Sequence, residues 1–383
     1  MNYLVLDLET GIHNRGEDSI GKMKAAPWHP KNKVVLSGHR TNNLTSSVIR
    51  RDLLLLFPDI NRDISQIVVG HNIKFDIHYL MQHRSEFADL TLPRICIWDT
   101  QLAEYILSGQ RKMYPTLDYC SEKYGGTLKD DVIKDFWNNG VDTEEIPREL
   151  LDEYLENDVK NTELVYLSQV VQAEEMNMMP LMLSQMKALK ATIEMEFNGM
   201  HFDKAKASSI ADTIRPERDE LIRYINGHLA CYGIELPNYN SAAQIAALIY
   251  GGTIVEEVSV PKLDDEGKQV MYKSGARKGS PVFRKEKAVR TLAGITCTPP
   301  EFTDTGKISV SDGPLSKIDH DMPRAILKLR GLSKDLVTYY EGYSNLVWPT
   351  SSGRGVIHHS LNHCSTGTGR LSSTSPNLQN TTG

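Results

Sequence analysis

The stretch N-Y-L-V-L-D-L-E-T, residues 2–10, decides how the rest of the chain is read. Aromatic and branched apolar residues follow one another without a breaker, and Gly11 ends the run, so the segment reads as a buried strand. Side chains alternate across a strand, which puts Val5, Asp7 and Glu9 on one face and Leu4, Leu6 and Leu8 on the other. Two carboxylates side by side at the end of an apolar strand each disfavour ionisation of the other. A divalent cation removes that cost, and oxygen ligands suit Mg²⁺ or Mn²⁺. A solvent-facing D-x-E at a strand end would explain the same pair, so its weight rests on acids further along.

Those acids come at domain-sized spacing. V-V-L-S (34–37) reads as a second strand, 50–57 as a helix, and Q-I-V-V-G (66–70) as another buried strand. G-H-N-I-K-F-D-I-H-Y-L (70–80) follows, and a helix there would stack Asn72 and Asp76 on one face. Residues 94–98 read as a strand ending at Asp99-Thr100, which would cap a helix over 101–107. The run E-L-L-D-E-Y-L-E-N-D-V (149–159) sets Tyr154 and Asp158 at i and i+4 of one helix. A solvated acidic helix accounts for Asp152, Glu153 and Glu156 but not for this order of motifs. Strands alternating with helices indicate an α/β domain around a mixed sheet.

Together D-x-E, N-x-x-x-F-D and Y-x-x-x-D resemble the Exo I, II and III motifs of the DEDD 3′–5′ exonucleases. The resemblance implies a ribonuclease H-like fold and two metal ions, Mg²⁺ or Mn²⁺, with Asp7, Glu9, Asp76 and Asp158 as ligands. It implies that Asp7, Glu9 and Asp158 hold the ion carrying the attacking water, that Asp7 bridges to the second ion, and that Asp76 supports it. Tyr154 marks the tyrosine subtype and would orient the water; the histidine subtype needs His where Glu153 stands. Thr10 and Asn72, beside the acids, are the expected contacts to the nucleic-acid strand. His71 and His78 flank the second motif, but hard oxygen-ligated metals do not call for imidazole, so both read as structural. Met176, Met178 and Met179 read as flexible filler at a helix end before Pro180.

Beyond residue 180 the pattern changes to long helices over 181–197, from Asp203 to about 230, and over 242–250 behind an Asn240-Ser241 cap. M-E-F-N-G-M-H-F-D (195–203), L-K-L-R-G-L-S-K-D-L-V-T-Y-Y (327–340) and T-G-T-G-R-L-S-S-T-S-P-N-L-Q-N (366–380) resemble the opening, the thumb helix and the palm-entry signature of family A DNA polymerases. No packing periodicity would generate fifteen matched polar, loop-forming residues. By that resemblance Arg370 contacts the primer end, Asn377, Gln379 and Asn380 contact the template, and Arg330 and Lys334 face DNA from the thumb helix. Residues 251–303 exceed a simple connection, and three strand-like runs there surround the turn-rich S-G-A-R-K-G-S (274–280). Residues 262–290 hold nine Lys and Arg against four Asp and Glu, in a chain of net charge −6. Arg277 and Lys278 are the candidate phosphate contacts there, against a bland reading as a solvated hairpin with lysines guarding its edges.

The expected organisation is an α/β exonuclease domain over 1–178, able to fold alone, a mainly α thumb with a small β insertion over 179–365, and the start of a palm over 366–383. The family's two catalytic aspartates and its fingers helix are not matched, and after Gln379-Asn380 the chain reads T-T-G where the family continues I-P. The expectation is proofreading but no polymerisation by this chain alone, with a second polypeptide carrying palm and fingers as partner beside DNA. No 5′-nuclease-like segment precedes the first strand, as in phage-type members. Two alternatives stay open, a standalone ribonuclease D-like exonuclease and a non-catalytic DNA-binding subunit. Five dispersed cysteines without a C-x-x-C pair, no signal peptide and no membrane-length apolar run fit a bacterial or phage-infected cytoplasm.

Overall fold

The opening stretch forms the middle strand of a five-stranded sheet in the computed structural model, which describes residues 2–42, 47–50, 67–83, 94–128, 132–275, 277–350 and 355–380. The sheet runs β3-β2-β1-β4-β5, with β1 Tyr3–Thr10, β2 Val34–Thr41, β3 Val48–Arg50, β4 Ile67–Gly70 and β5 Cys96–Asp99. Strands β1, β4 and β5 are parallel, while β2 and β3 are antiparallel to their neighbours, so the sheet is mixed. The apolar run of β1 is buried along both faces because helices cover the parallel part. Register slips between Glu9 and Thr10, a bulge that re-aims side chains where the two acids stand. The helix expected over 50–57 lies outside the described residues.

Helices α1 Lys74–His83, α2 Thr100–Leu107 and α5 Arg148–Glu175 pack on the sheet, while α3 Leu117–Tyr124 and α4 Val132–Asn138 pack on α5. Helix α5 buries Leu151, Leu155, Asp158, Val159 and Thr162, residues spaced by three and four along one stripe. That stripe lies on β2 at Gly38, where a Cβ would come within 2.8 Å of both Leu155 and Val159. Gly38 pairs with Asp7 across the ladder, so its missing side chain lets α5 sit directly over the first motif.

Two compact units divide the chain, and the expected boundary at 178 falls inside the first, which comprises Met1–Asp203 and Tyr343–Gly383. The reason is apolar: α6 Met179–Asn198 buries Met182, Met186, Leu189 and Ile193 in the same core as β1, β4 and β5. Strand β6 Met200–Phe202 then pairs with β10 Gly355–Ile357, which is flanked by β9 Trp348–Pro349, while β11 Ser360–Asn362 pairs with β12 Ser372–Thr374. The span 179–365 expected as one thumb is therefore divided between the units.

The second unit, Lys204–Gly342, has its own core, including Ile225, Leu229, Ile245, Ile249, Ile326 and Leu329. It is built from α7 Lys204–Cys231, α8 Ala242–Tyr250, the hairpin β7 Gly252–Pro261 with β8 Phe283–Leu292, α9 Asp312–Ser316 and α10 Asp321–Lys334. Ser241 caps α8 as expected, its hydroxyl accepting from the Gln244 N–H. The helix expected over 327–340 starts earlier and changes at Asp335 to π-helical winding that continues to Gly342. Of three expected strands in the insertion, two form; Gln269 and Met271 make only isolated bridges. Among the described residues no helix is long and apolar enough to cross a membrane.

Candidate active site

The acids of the first and third motifs converge. Carboxylate oxygens of Asp7 and Glu9 on β1 and of Asp158 on α5 lie within 4.8 Å of one another, with Glu9 and Asp158 buried. Asp76 on α1 joins them: its Oδ1 accepts the Leu8 N–H at 3.0 Å. Complete burial and then the neighbouring Asp7 push the Asp76 carboxyl well above the usual carboxylate range, with Glu9 adding to the rise. Tyr154, one turn before Asp158 on α5, is half-buried with its ring set edge-on to Trp137, centroids 5.9 Å apart. The donor set is anionic and oxygen-only, which suits a hard divalent cation.

Asn72 does not share a helix face with Asp76. The helix begins only at Lys74, and Asn72 sits before it at φ 56° in the left-handed region that Asn tolerates. Gly70 permits this tight exit, since a Cβ there would stand 2.8 Å from Ile73. The Asn72 N–H is held by Asp99 at 3.2 Å, leaving its side chain exposed beside the motif. Asp99 also caps α2 through the N–H groups of Gln101 and Leu102, and burial raises its carboxyl to about 6. Thr10 is buried, and its carbonyl accepts from the Thr143 hydroxyl at 2.6 Å.

The flanking histidines have structural surroundings. His71 Nδ1 contacts the Thr100 hydroxyl at 2.9 Å. His78 Nε2 meets the Ile193 carbonyl at 3.2 Å, and burial lowers the imidazole to about 3. A second acidic group, Asp142 and Glu144 beside His13, is occupied by the protein's own donors: Asp142 accepts the Ile12 N–H at 3.1 Å, and Lys33 reaches Glu144 at 3.2 Å. A cavity of about 550 Å³ in the first unit is lined by Trp28, Lys74, His78, Glu196, His358 and His363. Lys74 bonds Glu196 at 2.9 Å and the Leu361 carbonyl at 3.2 Å, bracing α1 against α6 and β11.

The remaining expected contacts are dispersed. In the first unit Arg370 is exposed, its carbonyl accepting from the Thr366 hydroxyl at 2.8 Å. Asn377 and Gln379 are exposed, with the Gln379 side-chain amide donating to the Leu371 carbonyl at 3.1 Å. Asn380 closes the short helical turn Leu378–Asn380, and its side chain lies outside the described set. In the second unit the Arg330 guanidinium is drawn to the Val310 carbonyl and Asp312, so part of its donor capacity is spent on the fold. Lys334 is exposed, its ammonium 5.8 Å above the Tyr339 ring. Arg277 and Lys278 are fully displayed in the hairpin's far turn.

A sequence profile described as DNA polymerase family A matches residues 288–382. DNA polymerase DpoZ of Acinetobacter phage SH-Ab 15497 is 24% identical over 332 residues, 82% of this chain and 46% of that protein. The chain is a relative of the family A DNA polymerases. A thermostable DNA polymerase I of Thermus filiformis is 42% identical over 78 residues, 20% of this chain and 9% of that protein. The POL domain of Pol1 from M. smegmatis, solved in complex with DNA primer-template and dNTP, superposes with a TM-score of 0.59 at 17% identity. That likeness, covering 99% of this chain and 52% of the other, concerns the fold. This family A relative spans about half or less of the proteins it matches.

The grouping of Asp7, Glu9 and Asp158 with Asp76 beside them, and the Asp99 cap, follow segments that sequence reasoning singled out. That reasoning missed Gly38 and the Lys74–Glu196 brace, whose importance arises only from elements distant in sequence. It also missed Asp142, although D-x-x-E ahead of a helical turn is a capping-box signal, and that box forms.

Proposed function

We propose that the first unit of this family A relative is a metal-dependent 3′–5′ exonuclease acting on DNA 3′ ends, and that the second unit serves as a thumb on primer–template. The observation that carries the reading is the meeting of Asp7, Glu9 and Asp158 within 4.8 Å, with Asp76 in their field. Asp7, Glu9 and Asp158 would hold one divalent cation, and Asp7 with Asp76 a second, Mg²⁺ or Mn²⁺. Bound there, such ions supply hydroxide at neutral pH and neutralise the scissile phosphate.

The protein's own groups supply position. The Leu8 N–H fixes the Asp76 carboxylate, and Gly38 lets α5 approach so that Asp158 reaches β1. The Tyr154 hydroxyl, able to donate and to accept, orients the attacking water. The exposed Asn72 side chain and the end of β1 at Thr10 border the place where a 3′ strand would lie. Proofreading within a replicative polymerase is the biological role that this chemistry supports.

The test is digestion of 5′-labelled single-stranded DNA with Mg²⁺. Asp7→Ala should fall to background because it removes a ligand from both ions, whereas Tyr154→Phe should retain a measurable fraction. Undiminished digestion by Asp7→Ala would overturn the assignment.

A further inference from the structure

The hairpin β7–β8 has a seated root and a displayed end. Its ladder runs without a break from Gly252↔Leu292 to Pro261↔Phe283. Ile254, Glu256 and Val258 are buried on one face, and the Glu256 carboxylate receives the N–H groups of Glu235 and Leu236. Past the ladder the backbone ties Lys262, Val270 and Val282 together through three bonds of 2.8 Å, and two small loops open from that knot. One, over 264–268, is organised by the Asp264 side chain, which accepts from Glu266 and Lys268. The other, over 272–280, is closed by two Tyr272–Ser280 and Tyr272–Gly279 backbone bonds of 2.9 Å.

Charge is segregated between these loops. The first holds Asp264, Asp265 and Glu266; the second holds Lys273, Arg277 and Lys278 and no acid. Of the nine basic residues over 262–290, Lys268, Arg284, Lys285 and Arg290 have carboxylate partners. The three of the second loop have none among the described residues and are exposed. Lysines that guard against edge-to-edge pairing stand on strand edges. These three stand in a loop, where there is no edge to guard. Met271 precedes the same loop and Tyr272 opens it, with 45% and 37% of their surface exposed, and Phe283 follows it at 54%.

We propose that the loop over 272–280 is a contact for a nucleic-acid sugar–phosphate backbone, with Lys273, Arg277 and Lys278 on phosphates. The proposal rests on the DNA-binding role assigned to this unit and adds a surface outside the helices. Backbone bonds already tie the ends of the loop together, so docking loses less main-chain freedom. The acidic loop beside it repels the same polyanion and confines contact to one side of the arm. Tyr272 adds a ring on which an unpaired base can stack.

The experiment measures DNA affinity of the full chain against salt, on a duplex and on a single strand, for the wild type and for Lys273→Ala/Arg277→Ala/Lys278→Ala. Each phosphate contact contributes about 0.9 to the log–log slope on duplex and about 0.7 on a single strand. Three lost contacts shallow the slope by about 2.7 or about 2.1, respectively. On duplex, wild-type affinity then falls about fortyfold more than the variant's between 50 and 200 mM salt. Tyr272→Ala separates the two sources: a loss of about fivefold or more confined to single strands assigns the loop to unpaired DNA, and equal affinities assign it to duplex. Asp265→Asn/Glu266→Gln is the control at the opposite loop. A salt-dependent wild type with an unchanged slope in the triple variant would overturn the proposal and leave the loop to an acidic protein partner. A wild type that binds neither DNA would overturn the thumb assignment together with it.

Discussion

Neutralising Asp7 should stabilise the protein without metal and destabilise it with metal. The carboxylate oxygens of Asp7, Glu9 and Asp158 stand within 4.8 Å of one another. At that separation and an effective dielectric of about 20, each like-charged pair costs about 3.5 kcal/mol. Asp7→Asn removes two such pairs while keeping the side chain's shape. Asp7 is partly reached by solvent, so the gain should be a fraction of that total, about 1–3 kcal/mol in EDTA. For a unit of this size this raises Tm by several degrees. In Mn²⁺ at about a hundred times its dissociation constant, the wild type gains about 2.7 kcal/mol. The variant should gain much less, so the two proteins exchange order. Thermal melts followed by circular dichroism in EDTA and in Mn²⁺ measure both effects. A variant less stable than wild type in EDTA, with an equal gain in Mn²⁺, would refute the reasoning.

Gly38→Ala should displace α5 from β2, costing about 1–3 kcal/mol through overpacking and lowering nuclease rate more than strand affinity, as single-turnover kinetics would show. A fragment ending at residue 178 should be poorly soluble, because it strips Met182, Met186, Leu189 and Ile193 from the first unit's core; a cooperative melt from that fragment would contradict this. Acid should weaken the first unit: burial lowers His78 to about 3 and His358 and His363 to about 4, so the unfolded chain takes up protons that the folded one refuses. Stability present above pH of about 6.5 is then lost on the way to about 4, at pH 5 by up to about 2 kcal/mol per histidine. Asp99, raised to about 6, and Asp76 act in the opposite direction, so His363→Asn is the clean check: it should remove about 1–2 kcal/mol of acid sensitivity in urea titrations at pH 7.5 and 5.

What could be read in advance was local. The strand at residues 3–10 announced itself because burial on both faces demands an unbroken apolar run, and carboxylates interrupting such a run ask for a reason. Helices α7 and α8 were legible from periodicity and the Ser241 cap. Asn72 was misread because spacing of four suggests a helix face, whereas the turn after Gly70 depends on left-handed backbone that spacing does not encode. The unit boundary was misread because a change to helical pattern says nothing about which core a helix joins. Helix α6 looks like its successors yet buries its apolar stripe with the sheet. Arg330 looked available for DNA because its partners, Val310 and Asp312, lie about twenty residues earlier.

The first unit is written in two pieces of chain, and synthesis must respect that. Strand β6 finds its partner β10 only after the whole of Lys204–Gly342 has been made. Closing a flexible loop of that order costs about 4 kcal/mol of chain entropy. If the intervening segment has already collapsed around Ile225 and Leu329, its ends are no longer free to wander and the cost shrinks. The nested segment thus acts as a temporal spacer. During translation the early sheet must wait, with the α6 stripe docked but β6 lacking its neighbour, until Gly355 leaves the ribosome. A pause in translation beyond the codon for Gly342 would favour correct pairing, and a deletion that unfolds the nested segment would harm the first unit, whose two pieces it joins.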